Sequence, residues 1–156
     1  MLEIQPDLDE AHYRIGLGFQ NLGEQEKAIK YYQRSIEINP NFSEAYNNLG
    51  NVFKELEQPN EAINAYKNAI KINPDFPVLH NNLGNVLKDL GQFEEAIKSY
   101  NEAIKYNPDY PDSLNNIGVI YFELGELKDS IVSFKKAIKS NPKYIDAYLN
   151  LSKVFK

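Results

Sequence analysis

The 156-residue chain predicts an all-α solenoid, and three observations carry that prediction. Asn-Pro occurs at Asn39-Pro40, Asn73-Pro74, Asn107-Pro108 and Asn141-Pro142, and Pro6 opens the same series, so the interval is 34 residues throughout. Gly16, Gly50, Gly84 and Gly118 recur at that interval, as do Ala28, Ala62, Ala96 and Ser130. Between the prolines, apolar residues return three and four positions apart, the spacing of one helix face. A fixed period of this size marks a repeat array whose units stack only on their neighbours, which yields open surface in place of an enclosed pocket.

Taken in order, residues 1–8 read as the tail of an earlier repeat, and the first full repeat spans 9–42. Its first helix carries Ile15-Gly16, and its second carries Ala28, Tyr32 and Ser35. In the repeat at 43–76, Tyr46, Leu49, Gly50 and Phe53 share one side of a first helix. Pro59 suits the start of a second helix, where its missing N–H has no intrahelical partner, and Ala62, Ile63, Tyr66, Ala69 and Ile70 then follow at helical spacing. That helix should stop at Asn73-Pro74, because proline disfavours helical geometry in the residue before it and asparagine tolerates the left-handed conformation common past a helix end. Gly50 and Ala62 mark an expected close approach of two antiparallel backbones. A mid-helix glycine costs about 1 kcal/mol relative to alanine, so it needs a return in packing. The repeat at 77–110 holds Leu83-Gly84, Ala96, Tyr100 and Ala103, and the repeat at 111–144 holds Ile117-Gly118, Ser130, Phe134 and Ala137. Residues 145–156 continue with Leu151-Ser152 as the first helix of a fifth repeat or a cap.

This pattern of leucine-glycine, alanine, aromatic, alanine and proline at a 34-residue period resembles the tetratricopeptide repeat over nearly the whole chain. The resemblance implies a right-handed superhelix of antiparallel helix pairs, with the first helices lining a concave groove that binds protein.

Composition narrows the function. With 42% hydrophobic and 25% charged residues, the chain fits one soluble globular unit. No segment approaches a membrane span, and the acidic start, with Glu3, Asp7, Asp9 and Glu10, lacks the form of an export signal, so the expected location is intracellular and cytoplasmic. A net charge of −5 repels phosphate, which argues against nucleic acid. There is no cysteine, and His12 and His80 occupy equivalent inward positions two repeats apart, too far to share a metal. No cofactor, metal or catalytic constellation is expected, and the chain is read as a binder and not an enzyme. Lys71, Lys105 and Lys139 lie in the last turns of second helices, with Glu61, Glu95 and Asp129 in the first turns, as helix dipoles favour.

Function is expected on the first-helix face that the core leaves free. At 100° per residue, Glu44, Asn48, Asn51 and Glu55 share one stripe. Its equivalents produce a row of asparagines, Asn48, Asn82, Asn116 and Asn150, with Asn51 and Asn85 beside it and Asn47, Asn81 and Asn115 at its edge. Arg14 breaks this row in the first repeat. An acidic row one turn earlier holds Glu10, Glu44, Asp112 and Asp146, broken by Val78. An asparagine amide offers both a carbonyl acceptor and N–H donors, which match the main chain of an extended peptide. Neighbouring helices lie about 8 to 10 Å apart, the span of three extended residues, so one asparagine per repeat matches every third peptide residue. Asparagine is also roughly 0.5 kcal/mol worse than lysine or glutamate in a helix, which argues against a face needing only water.

The asparagine row is similar to the one in the repeat arm of O-GlcNAc transferases, where it holds substrate peptides by their backbone. That resemblance implies the same role for Asn82, Asn116 and Asn150, and makes a glycosyltransferase substrate arm the alternative function. Chaperone-binding relatives grip a C-terminal carboxylate with basic residues, but Asn47, Asp112 and Asn116 stand where those would be, so a neutral or basic extended peptide is the expected partner. A third possibility is head-to-tail self-association to a homo-oligomer. Residues 1–60 hold ten acidic and five basic side chains, whereas 135–156 hold six lysines and one aspartate, and Tyr148, Leu151 and Phe155 on the last helix have no second helix to cover them.

Overall fold

A computed structural model describes residues 8–155, so residues 1–7 of the expected tail lie outside the described residues, while Leu8 already opens a helix. Among the described residues the chain forms nine α-helices and no strand: α1 (Leu8–Asn21), α2 (Gln25–Ile38), α3 (Ser43–Glu55), α4 (Pro59–Ile72), α5 (Pro77–Asp89), α6 (Phe93–Tyr106), α7 (Pro111–Glu123), α8 (Leu127–Ser140) and α9 (Ile145–Val154). They fall into two compact units, one ending at Pro74 with α1 to α4 and one starting at Asp75 with α5 to α9. The expected start of α4 at Pro59 and its end before Asn73-Pro74 are both observed.

In the first unit, Gly16 faces Tyr32 while the Asn39 side chain donates to Asp9 at 2.7 Å, a register that only antiparallel helices give. The repeated glycines have one shared cause. A Cβ on Gly16 would lie 2.8 Å from the Tyr32 ring, and one on Gly50 would lie 2.7 Å from the Tyr66 ring. The second unit repeats this, with 2.6 Å from Gly84 to the Tyr100 ring and 2.7 Å from Gly118 to the Phe134 ring. Gly50 therefore makes room for an aromatic ring, where the sequence suggested a close backbone approach at Ala62. All four rings are at most 1% exposed, so the glycine's lost helix propensity is offset by burying the largest fully buried side chain of each pair.

The Asn-Pro stops work differently from the expectation. Asn39, Asn73, Asn107 and Asn141 have φ between −128° and −138°, extended and not left-handed, because the following proline excludes helical geometry and leaves the extended region. Their side chains act instead: Oδ1 of Asn39, Asn107 and Asn141 accepts the backbone N–H two residues on, closing the turn into the next helix. Left-handed backbone sits within the pairs, at Gly23, Gly91 and Gly125, and at Glu57, where φ is +56° without a glycine.

The lysine and acidic rows lie as expected, with Lys71, Lys105 and Lys139 in last turns and Glu61, Glu95 and Asp129 in first turns. His80 is buried and stacked on Tyr106, and half-buried His12 packs on Tyr31, so both fill core-side positions. Among the described residues, no three His, Cys, Asp or Glu gather where a metal could be held, and no helix is long and apolar enough to cross a membrane.

Candidate functional site

Each unit presents a face built from its first helices. In the first unit, the buried Tyr66 ring of α4 projects its hydroxyl to α3, where it donates to Asn51 Oδ1 at 2.7 Å. The Asn51 amide donates to Asn48 Oδ1 at 3.4 Å, and the Asn48 amide donates to the Tyr13 oxygen on α1 at 3.0 Å. Asn47 adds a second donor to Asn48 Oδ1 at 3.2 Å. A directed chain of hydrogen bonds thus crosses α4, α3 and α1 and ends on Tyr13. Burial pushes the Tyr13 hydroxyl up and the Asn48 donor partly offsets it, so the group keeps its proton and offers it as a donor near neutral pH. Beside this chain, Gln20, Asn51, Lys54 and Glu55 line an open depression of about 300 Å³. Glu44 is exposed, and Glu10 pairs with Arg14 at 2.7 Å.

In the second unit, Tyr100 of α6 donates to Asn85 Oδ1 on α5 at 2.8 Å, and the same oxygen accepts an N–H of Asn116 on α7 at 2.9 Å. Asn150 on α9 donates to Asn115 Oδ1 on α7 at 3.1 Å and accepts Lys153 Nζ at 2.9 Å. Asn116 and Asn150 thereby tie successive first helices together, as Asn48 does in the first unit, and all three remain half-buried. Asn82 is half-buried and likewise engaged. Asp112 accepts the Tyr144 hydroxyl at 2.8 Å, and burial followed by this carboxylate pushes that hydroxyl up, while Asp146 stands exposed.

The sequence-derived residues sort by these partners. Asn51 and Asn85 serve the hydroxyls of buried tyrosines, a structural duty the sequence stripe did not reveal. Asn81 and Asn115 are about 95% buried and pack between helices, Asn81 accepting Ser113 Oγ at 3.0 Å, so they do not edge a surface. Tyr13 was missed. It occupies the position of Asn47, Asn81 and Asn115 in the first repeat, and the 34-residue register would have found it. Tyr148 on α9 and Phe155 just past its end are exposed, Leu151 is half-covered, and Ile145 and Leu149 add exposed surface that the sequence reading did not include.

A family model described as "TPR repeat" matches residues 50–91, 84–125 and 118–156, and two described as "Tetratricopeptide repeat" match 9–42 and 31–64. No curated protein matches. Among solved structures, MamA superposes with a TM-score of 0.86 at 24% identity, covering 96% of this chain and 81% of that one. PilF of Pseudomonas aeruginosa gives 0.85 at 23% identity, over 95% and 68%. YrrB, described as a TPR protein with an unusual peptide-binding site, gives 0.76 at 22% identity, over 92% and 74%. At these identities the likeness establishes the all-α solenoid fold.

Proposed function

The chain belongs to the tetratricopeptide repeat family, whose matches run through residues 50–156, and from that premise we propose a protein-interaction scaffold that holds an extended partner segment against its first helices. Its repeats are read as 9–42, 43–76, 77–110 and 111–144, with 145–156 opening a fifth.

The observation that carries this reading is Asn116. One amide N–H is fixed by Asn85, itself fixed by Tyr100, while the Asn116 carbonyl and second N–H have no partner among the described residues. Such an amide is already ordered. A mobile side chain would lose about 0.5 to 1.5 kcal/mol on being immobilised by a ligand, and here the fold has met that cost. The uncommitted carbonyl and N–H complement the N–H and C=O of an extended main chain. Asn48 and Asn150, whose carbonyls are taken by Asn47 and Asn51 and by Lys153, contribute through an amide N–H alone, and Asn82 joins them by its place in the row, with Asn51 and Asn85 as supports. Exposed Glu44 and Asp146, together with Asp112, favour a neutral or basic segment. The peptide-binding site named for YrrB supports the assignment by analogy.

The test is selection from a display library of random 12-residue peptides, comparing wild type with an Asn82→Ala, Asn116→Ala double variant whose fold is verified by circular dichroism. Enrichment by wild type alone supports the groove, and equal enrichment removes it.

Exposed Ile145 and Tyr148 on α9, with Phe155 just past its end, favour a second reading, self-association. Sedimentation across protein and salt concentrations decides it, since contact between the acidic and lysine-rich segments should weaken with salt. A monomer at every concentration would remove it.

A further inference from the structure

One side chain on the second unit's first-helix face departs in chemistry from its equivalents in the other repeats. Aligned by the 34-residue period, Gln20, Lys54, Lys88 and Phe122 occupy one position, and only the last is apolar. In the first unit Gln20 and Lys54 line the open depression with Asn51 and Glu55. Two periods on, the last three of these positions fall on α7 as Val119, Phe122 and Glu123, and Lys88 stands for Gln20 on neighbouring α5. Three of the four therefore share a helix with Asn116.

The change at 119 is explained by the core. Val119 replaces the asparagine that receives a buried tyrosine hydroxyl, and its partner in α8 is Phe134, which has no hydroxyl to satisfy. The change at 122 is not. Phe122 leaves 37% of its surface exposed at a position where the two preceding repeats carry lysine, so the fold covers the ring only in part. Beside it, Glu123 is exposed and has no cationic partner among the described residues. An aromatic side chain open to water, an apolar neighbour and an unpaired carboxylate thus sit together on the helix whose amide is best prepared for a peptide backbone.

We propose that Val119 and Phe122 form a side-chain subsite of the peptide groove, selecting an aliphatic or aromatic residue next to a lysine or arginine that meets Glu123. The inference rests on the groove reading and adds the chemistry of the bound segment. Along α7, Val119 lies about 4.5 Å beyond Asn116 and roughly 60° round the helix axis, and Phe122 about 4.5 Å and 60° further in the same sense, so the two continue one inclined ridge that starts at Asn116. Charge complementarity sets the neighbour's sign.

The experiment uses the full chain and a synthetic peptide array on a Gly/Ser/Ala background in which one position carries Leu, Phe, Ser or Glu and the next carries Lys, Ala or Glu. Wild type should bind Leu-Lys and Phe-Lys members on the order of tenfold better than Ser-Lys members. Phe122→Lys, which restores the residue of the two preceding repeats, should erase that preference and leave residual binding that Asn116→Ala removes. Binding lost in Asn116→Ala with the Leu-over-Ser preference intact in Phe122→Lys would overturn the subsite while sparing the groove. Binding indifferent to Asn116→Ala, or no binding at all, would overturn both.

Discussion

Tyr66 places its hydroxyl 2.7 Å from Asn51 Oδ1, and one period later Tyr100 places its own 2.8 Å from Asn85 Oδ1. One period later again, both partners change together, to Phe134 and Val119. Across these three repeats the shorter asparagine row is therefore the hydrogen-bond complement of the aromatic row, present where Tyr66 and Tyr100 need an acceptor and absent where Phe134 does not. Tyr32, facing Leu17 at the equivalent position, donates to Gln20 at 2.7 Å instead.

Asn51→Val alone should destabilise the protein by about 1 to 3 kcal/mol, because it strands the Tyr66 hydroxyl in the core. Adding Tyr66→Phe reproduces the native Val119 and Phe134 combination and should recover most of the loss. Urea unfolding of both single variants and the double variant gives the coupling energy directly. Additive losses would mean that the pair is incidental.

Two glycines should respond to alanine with opposite sign. Gly84→Ala drives a methyl to 2.6 Å from the Tyr100 ring, and the strain of roughly 1 to 3 kcal/mol exceeds the gain of about 1 kcal/mol in helix propensity. Gly18, exposed within α1, has nothing within 4 Å of an added Cβ, so Gly18→Ala should stabilise by up to about 1 kcal/mol. Thermal midpoints moving in opposite directions confirm the packing account.

Glu57 holds φ at +56°, where the other turns within helix pairs have glycine. A non-glycine residue in left-handed backbone is strained by roughly 1 to 2 kcal/mol, and part of that returns in Glu57→Gly after the greater chain freedom of unfolded glycine is counted. Denaturant midpoints should rise for this variant and stay unchanged for the exposed control Glu57→Gln.

Ser130 is fully buried with no partner for its hydroxyl among the described residues, at the position held by Ala28, Ala62 and Ala96. Removing an unsatisfied buried hydroxyl relieves a desolvation penalty of about 1 to 3 kcal/mol. Ser130→Ala should therefore raise the thermal midpoint, and a fall would reveal an unrecognised bond.

Alkali should unfold the protein cooperatively. Burial raises the Tyr32, Tyr66 and Tyr100 hydroxyls above their ordinary value of 10.0. The folded state then holds protons the unfolded chain releases, so this stabilisation is complete below pH 10 and is lost as pH rises beyond it. Tyrosine absorbance should show a late class that appears only with unfolding. A single class would contradict the buried hydrogen bonds.

The period, the helices and their buried faces were legible because each depends on residues close in the chain: Pro59 opens α4, and Asn73 before Pro74 closes it. Partners across repeats were not, because they depend on the offset between neighbouring helices. Asn116 reaches back to Asn85, whereas Asn150 reaches back to Asn115, and the same row thus uses two different reaches. No single-helix stripe distinguishes these. The paired change at 119 and 134 was readable in the register without coordinates, since a tyrosine on a core-facing row implies a nearby acceptor. The extended backbone at Asn39 and its equivalents was obscured by the general preference of asparagine for left-handed caps, which the following proline overrides.

The most direct measurement is the dissociation constant, by fluorescence anisotropy, of one library-selected peptide for wild type and for the Asn82→Ala, Asn116→Ala variant. Two ordered amides at about 1 kcal/mol each correspond to weakening of roughly 10- to 30-fold, measured at a temperature where circular dichroism shows both proteins folded. Equal affinity in both proteins would show that the amides only brace the helices and that partners bind elsewhere.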